Sequence, residues 1–272
     1  MAKYVSFLII AIMVFSVVGT AEQPLPESVD PLYVYVYPLR RADAMLLIKG
    51  DQSMLIDTGE AEHYDIVSQL LNQLGIKRID YVVNTHPHHD HLGGLPQLAK
   101  NYEIGEFITC FQEDFTGKGV VQHEAISALK ESNMPISYVD DGDKLFLGDV
   151  VLTVMRQTEA SSVNAHSMML MVEYGQCRML LTADVTVAAQ NIFIRDGYDL
   201  KADVLKFPHH GRERMSPKFL KAVDPEYVFI TNNKSDSEAA RKQLGLYKIK
   251  QFITRNGLIC FKCDGVNWEV SQ

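Results

Sequence analysis

Between Thr85 and Gly94 the chain reads Thr-His-Pro-His-His-Asp-His-Leu-Gly-Gly, and four of these residues, His86, His88, Asp90 and His91, can bind a metal ion. Imidazole nitrogens and carboxylate oxygens suit zinc, and also iron or manganese. His86 and His88 alternate on extended backbone and can point the same way. Asp90 and His91 follow after the chain has turned and can serve a second cation. Single histidines are usually structural, but this density on one loop marks a metal site. The mostly apolar run Ile79 to Val83 leads in as a buried strand, Gly93-Gly94 and Leu95 lead out, and Leu92 to Lys100 can form a helix. The ligands then lie at the C-terminal end of a strand, where α/β folds place their sites.

The elements that must position this loop alternate between strand-rich and helical stretches. Leu32 to Tyr37 reads as a strand, and Ala44 to Ile48 with Ser53 to Ile56 as a hairpin around Gly50. Tyr64 to Leu74 has helical spacing and ends at Gly75. Phe107 to Cys110 is a short strand, Val121 to Ser132 a helix, and Ile136 to Val139, Lys144 to Leu147 and Val150 to Met155 are strands. Met168 to Tyr174 and Cys177 to Thr182 form a hairpin, followed by a helix from Val185 to Ile194. Val204 to Phe207 is a strand running into His209-His210-Gly211, and Ser216-Pro217 starts a helix. After a strand at Tyr227 to Thr231 and a helix at Glu238 to Leu244, three short strands are expected to close the chain as a meander. Pattern alone gives an α/β or α+β domain.

The motif H-x-H-x-D-H followed by Gly-Gly resembles the signature of the metallo-β-lactamase superfamily. The resemblance implies an α/β fold, the αββα four-layer sandwich, and a binuclear site with ligands beyond the first loop. It places His166, just before the Met168 strand, with His86 and His88 on the first metal. It makes Asp184, in Leu180-Leu181-Thr182-Ala183-Asp184, a carboxylate bridging both metals; the competing use of Asp184 is an N-cap for the following helix. One of His209 and His210 completes the second metal. His209, first off the strand, is taken as the ligand and His210 as a catalytic proton donor, with the reverse left open. Asp57, in Asp57-Thr58-Gly59, corresponds to an aspartate that braces the metal loop. Within the superfamily, Leu-Leu-Thr-x-Asp and Asp203-Val204-Leu205-Lys206-x-Pro-His-His-Gly resemble the hydrolase domain of bacterial competence (DNA-uptake) proteins. That branch has an aspartate where this chain has His88, and an Asn-Tyr-His-Pro segment where this chain has Thr231 to Asp236. DNA uptake is therefore not carried over.

The implied cofactors are two divalent metal ions, zinc first, with iron or manganese as alternatives. Such a pair lowers the pKa of a shared water from about 16 towards about 7 and so supplies a bridging hydroxide nucleophile. Asp90 would orient it, and His210, Arg212 or Arg214 would stabilise developing negative charge. The expected activity is exported hydrolysis of a phosphodiester. The alternatives are a β-lactamase, or a non-catalytic binding or regulatory protein on the same fold.

Residues 1–21 read as a secretory signal peptide, residues 22–31 as a linker and residues 32–272 as one hydrolase domain. Lys3, the apolar run Val5 to Val18 and Gly19-Thr20-Ala21 carry the first assignment, against an uncleaved anchor. The expected location is periplasmic or extracellular, with no membrane span after cleavage. The net charge of −8 becomes −9 without residues 1–21, which hold Lys3 and no acid. That balance argues against a stable nucleic-acid complex, which needs a basic face; the expected partner is a small-molecule or phosphodiester substrate, and the oligomeric state is left open. Cys260 and Cys263 lie on one expected strand and face opposite ways, so buried thiols are expected there rather than a disulfide.

Overall fold

The structure, a computed structural model, describes residues 30–272. The signal peptide expected at residues 1–21, and all but the last two residues of the linker, lie outside the described residues. Among those described, no helix is long and apolar enough to cross a membrane.

The first half runs β1 (Leu32–Val36), β2 (Met45–Lys49), β3 (Gln52–Ile56), α1 (Tyr64–Gln73), β4 (Arg78–Asn84), α2 (His89–Leu92), α3 (Leu95–Asn101), β5 (Glu103–Thr109), α4 (Gln122–Glu131) and β6 (Ile136–Tyr138). The second runs β7 (Lys144–Leu147), β8 (Val150–Met155), β9 (Met169–Tyr174), β10 (Cys177–Leu181), α5 (Val187–Arg195), β11 (Val204–Lys206), α6 (Pro217–Val223), β12 (Tyr227–Ile230), α7 (Glu238–Leu246) and β13 (Lys250–Ile253). Two last strands follow, β14 (Ile259–Cys263) and β15 (Trp268–Ser271).

The strands form two sheets, one ordered β15-β14-β1-β2-β3-β4-β5-β6 and the other β13-β12-β11-β10-β9-β8-β7. Each sheet is antiparallel on one side and parallel on the other: β3 to β6 run parallel, as do β10 to β13. Parallel neighbours need crossovers, and the helices supply them. The final meander is not formed. β13 pairs parallel with β12 in the second sheet, while β14 and β15 return to the first sheet as a hairpin beside β1. Gly257, at a φ of 130°, lies in the crossing between the two sheets.

Side-chain alternation builds the layers. Met45 and Leu47 face the core between the sheets, together with Leu152, Val172, Leu181 and Phe229 from the other sheet. Leu46 between them faces outward, into a second core with Val67, Leu71, Leu98 and Leu129 of the helices. A third core packs Leu180, Leu205 and Val228 against Phe193, Phe219 and Leu244. Three apolar layers between four layers of structure are the αββα sandwich that the sequence led us to expect.

The metal loop breaks differently from expectation. Helix begins at His89, and Gly93-Gly94 separates α2 from α3 instead of lying within one helix from Leu92 to Lys100. A Cβ on Gly94 would stand 2.4 Å from the Thr58 carbonyl oxygen, and one on Gly93 2.5 Å from that of His89. Only glycine lets this turn lie against the loop that follows β3.

Candidate metal centre at the strand ends

The site lies where the parallel strands β3, β4, β10 and β11 end. Asp57 follows β3 in the left-handed region, at a φ of 57°, and its carboxylate collects the metal loop. It accepts from Asn84 Nδ2 at 3.1 Å, Thr85 N at 2.8 Å and Thr85 Oγ1 at 2.7 Å, and faces His91 Nδ1 at 2.7 Å. Burial raises the Asp57 carboxyl above its ordinary range, opposed by His91. Its partners are donors, so it acts as acceptor and fixes the His91 proton on Nδ1. His91 Nε2 is thereby turned into the site.

His86 and His88 leave β4 as the alternation suggests, with His86 Nε2 3.1 Å from His88 Nδ1. Two imidazole nitrogens each about 2.0–2.1 Å from one tetrahedral zinc stand at a similar separation. Burial pushes both rings below the ordinary imidazole range, and at His86 the neighbouring His91 adds to this, so both present lone pairs at neutral pH. His166 lies in a short 3-10 turn, Asn164–His166, before β9. Met168 N donates to Thr85 O at 2.9 Å, which ties that turn to the metal loop.

Asp184 follows β10, after Ala183 at a φ of 46°. Thr186, not Asp184, caps α5: its side chain accepts from Ala189 N. The Asp184 carboxylate reaches both groups of histidines. Its Oδ1 is 3.4 Å from His91 Nε2, and its Oδ2 is 3.4 Å from His210 Nε2 and 4.0 Å from His86 Nε2. Burial alone would raise this carboxyl; His210 and His91 outweigh it and hold it well below the usual range.

After β11 the chain passes through three successive left-handed residues, His209, His210 and Gly211, at φ 50°, 52° and 69°. Such backbone costs about 1–3 kcal/mol per non-glycine residue and persists only where the surroundings over-determine it. Here His209 N donates to Ala183 O at 3.1 Å, and Asn232 Nδ2 donates to His210 O at 2.9 Å. The turn carries His210 inward and His209 to the rim. His210 is fully buried, with Nε2 3.5 Å from Asp90 Oδ2 as well as 3.4 Å from Asp184. His209 Nε2 lies 3.3 Å from Asn164 Nδ2 and 3.8 Å from Asp184 Oδ2, and burial pushes its ring below the ordinary range. Both rings of the pair thus come near Asp184 Oδ2, His210 at 3.4 Å from inside and His209 at 3.8 Å from the rim.

Two residues that the sequence reading did not place in the site stand beneath it. Asp43, in the segment entering β2, has Oδ1 3.2 Å from His210 Nδ1 and Oδ2 2.6 Å from Lys206 Nζ. Asp43, His91, Asp184 and His210 offer donor atoms all within 4.8 Å of one another. Asp43 nonetheless meets the outer nitrogens of the rings, whereas Asp90 meets Nε2 of His210. Burial would raise the Asp43 carboxyl, but Lys206 first and then His210 hold it well below the usual range. Burial opposes and the carboxylates of Asp184 and Asp43 prevail at His210, whose imidazole is pushed up to about 10. A signal for both residues existed: Asp43 sits between two alanines before an apolar strand, and Lys206 is the one charge in Val204 to Phe207. A buried charge needs a partner.

The chemistry of this donor set fits divalent cations. Nε2 of His91, His166 and His210 and Oδ1 of Asp184 are buried without a hydrogen-bond partner, the condition of atoms arranged for a ligand. The loop from Phe111 to Val120 is fastened to the metal loop: His89 N donates to Gly119 O and Val121 N to Pro87 O.

Comparison with known proteins agrees with this geometry. The model of the metallo-beta-lactamase superfamily matches residues 37–231. ComE operon protein 3 of Bacillus subtilis is 25% identical over 206 residues, covering 73% of this chain and 25% of that protein. Competence protein ComA of Neisseria gonorrhoeae is 27% identical over 238 residues, covering 83% of this chain and 31% of that protein. The chain thus spans about a quarter to a third of these relatives. The metallo-beta-lactamase fold protein YhfI of Bacillus subtilis superposes with a TM-score of 0.58 at 15% identity, over 86% of this chain and 99% of that one. CmlA, a diiron beta-hydroxylase from Streptomyces venezuelae, gives 0.56 at 14% identity, over 84% of this chain and 53% of that one.

Proposed function

Because the chain belongs to the metallo-beta-lactamase superfamily, we propose that it is a metal-dependent hydrolase with two divalent cations, acting on a phosphodiester. In this reading His86, His88 and His166 hold the first cation. Asp90, His91 and His210 would hold the second, and Asp184 would be shared between them. The observation that carries it is the reach of Asp184 to His86 on one side and to His91 and His210 on the other. A carboxylate within reach of both groups, with Oδ1 on His91 and Oδ2 between His86 and His210, suits a paired-cation site.

Two such cations would supply an activated water near neutral pH and polarise the substrate oxygen. The chain's own residues do the rest. Asp90 is held anionic against the pull of burial, chiefly by His210, and can accept a proton from the attacking water. His209, on the rim, can exchange a proton with the leaving group at Nε2. The three left-handed residues set His209 and His210 against Asp184.

An anionic substrate is supported by the surface beside the site. A cleft of about 960 Å³ is lined by the segments that follow β12 and β13 and by the stretch after β1. Its lining includes Arg40, Lys234 and Arg255 and no acidic residue, in a chain whose net charge is −8. Asn232, which holds the His210 carbonyl, is part of its wall. Groups flanking a scissile phosphodiester would lie there. The reading includes export of the chain by its N-terminal segment, with zinc, iron or manganese as the metal.

The test is turnover of bis-p-nitrophenyl phosphate by metal-loaded protein, beside nitrocefin as the lactam control. Turnover of the first, lost in Asp90→Ala, supports the reading. Opening of nitrocefin alone would replace it with lactam hydrolysis.

A further inference from the structure

Lys206 is a buried lysine, yet its chain position on β11 makes it neither a ligand nor a surface residue. Its side chain is fully buried, and its ammonium makes three contacts that all concern the site. Nζ donates to Ala183 O at 2.9 Å, pairs with Asp43 Oδ2 at 2.6 Å and lies 3.9 Å from Asp184 Oδ1. The first contact pins the left-handed residue before Asp184. The second occupies one oxygen of Asp43 and leaves the other 3.2 Å from His210 Nδ1, which also meets Thr231 Oγ1 at 3.0 Å, so that His210 Nε2 faces inward.

Charge makes the arrangement more than a brace. Four carboxylates bear on the site, those of Asp43, Asp57, Asp90 and Asp184. Among the described residues, Lys206 is the one lysine or arginine with a nitrogen within 4.0 Å of any of them. With the histidines neutral, as metal ligation requires, the protein contributes a net −3. Two dications then leave an excess of +1 before any hydroxide or substrate is counted, one charge more for an anion than the site would have without the ammonium. Without the ammonium the count is −4, and two dications leave none. The same ammonium keeps Asp43, whose oxygens lie within reach of the other donors, from joining the ligand set.

We propose that Lys206 is a positioning residue and fixed counter-charge: it keeps Asp43 on His210 and out of the ligand set, and it leaves the loaded site one positive charge with which to hold an anionic substrate. The proposal rests on the two-cation reading above. It trades metal affinity for anion affinity, and that trade predicts shifts of opposite sign, which damage to packing would not produce.

The experiment measures two affinities in the full chain. One is the affinity of metal-free protein for zinc, by competition with a chromophoric chelator. The other is the affinity of zinc-loaded protein for inorganic phosphate, by calorimetry. One unit charge a few ångströms away at an effective dielectric near 20 changes each by at least about tenfold. Lys206→Met is expected to bind zinc more tightly and phosphate more weakly than the wild type. Asp43→Asn, which keeps an oxygen for His210 Nδ1, is expected to do the reverse. The double variant removes one charge of each sign, avoids an unpaired buried carboxylate and should return both affinities towards the wild type. Lys206→Met weakening both affinities, or the double variant failing to restore them, would overturn the proposal. If Lys206→Met does not fold, Asp43→Asn and the double variant decide it alone. A wild-type chain that binds no zinc would overturn the two-cation reading along with it, whereas wild-type binding that Lys206→Met leaves unaltered would overturn this inference only.

Discussion

The His91 Nδ1 atom stands 2.7 Å from Asp57 Oδ2, with both side chains fully buried, and this contact decides which ring nitrogen faces the site. It joins the end of β3 to the first turn after β4, so the strand pairing of the sheet becomes the orientation of a ligand. Replacing such an outer partner typically lowers metal affinity about 10–100-fold. Asp57→Asn should fall in that range by chelator competition. Asp57→Ala should also cost about 1–3 kcal/mol of stability for stranding buried donors, read as a lower denaturant midpoint with an unchanged slope. Unaltered affinity in both variants would remove Asp57 from the site.

Metal uptake should depend steeply on pH. In metal-free protein the His210 imidazole is pushed up to about 10, so a cation must displace its proton across the neutral range. Affinity should therefore rise with pH, about tenfold per unit for each proton released, and level off near the raised value. The stability of the metal-free chain runs the other way. A group with a raised folded pKa contributes fully below its ordinary value and loses that contribution as pH climbs through the folded one. Metal-free protein should thus lose the His210 contribution as pH rises towards about 10, while loaded protein keeps its stability over that window. A zinc affinity flat between neutral pH and 9 would contradict this.

The glycine turn can be tested against a control in the same molecule. Gly94→Ala places a Cβ 2.4 Å from a backbone oxygen, whereas the same change at Gly245 in α7 meets nothing within 4 Å. Gly94→Ala should lose about 1–3 kcal/mol, as overpacked sites do, together with metal affinity. Gly245→Ala should gain about 0.5–1 kcal/mol from helix propensity. Thermal melts of the two variants beside the wild type decide it, and equal effects would sink the close-approach argument.

The basic cleft predicts a split in kinetics. Arg40→Ala with Lys234→Ala and Arg255→Ala should raise KM for a phosphodiester oligomer several-fold and flatten its salt dependence, with bis-p-nitrophenyl phosphate little changed. A loss confined to kcat, alike for both substrates, would place the cleft outside substrate binding.

How much of this was legible in the sequence follows from how local each signal is. The loop His86 to His91 announces itself because its donors are neighbours in the chain, and the apolar runs before it and before Asp184 mark strands of a layered fold. Which of His209 and His210 is buried was not legible, because backbone sense through three left-handed residues decides which ring points inward. Asp43 and Lys206 are separated by most of the domain, so their pairing exists only once β2 and β11 stack across the sheets. The final meander misled for the same reason: alternation defines β13, β14 and β15 as strands but does not say to which sheet each belongs.

The central claim is a site for two cations, divided between histidine groups that Asp184 joins. The most direct measurement is metal content per folded chain by elemental analysis after loading, in the wild type and in His210→Ala. The account predicts about two ions per wild-type chain and about one in the variant, where His86, His88 and His166 remain. A wild-type chain holding one ion or none, or a variant that still holds two, would contradict it.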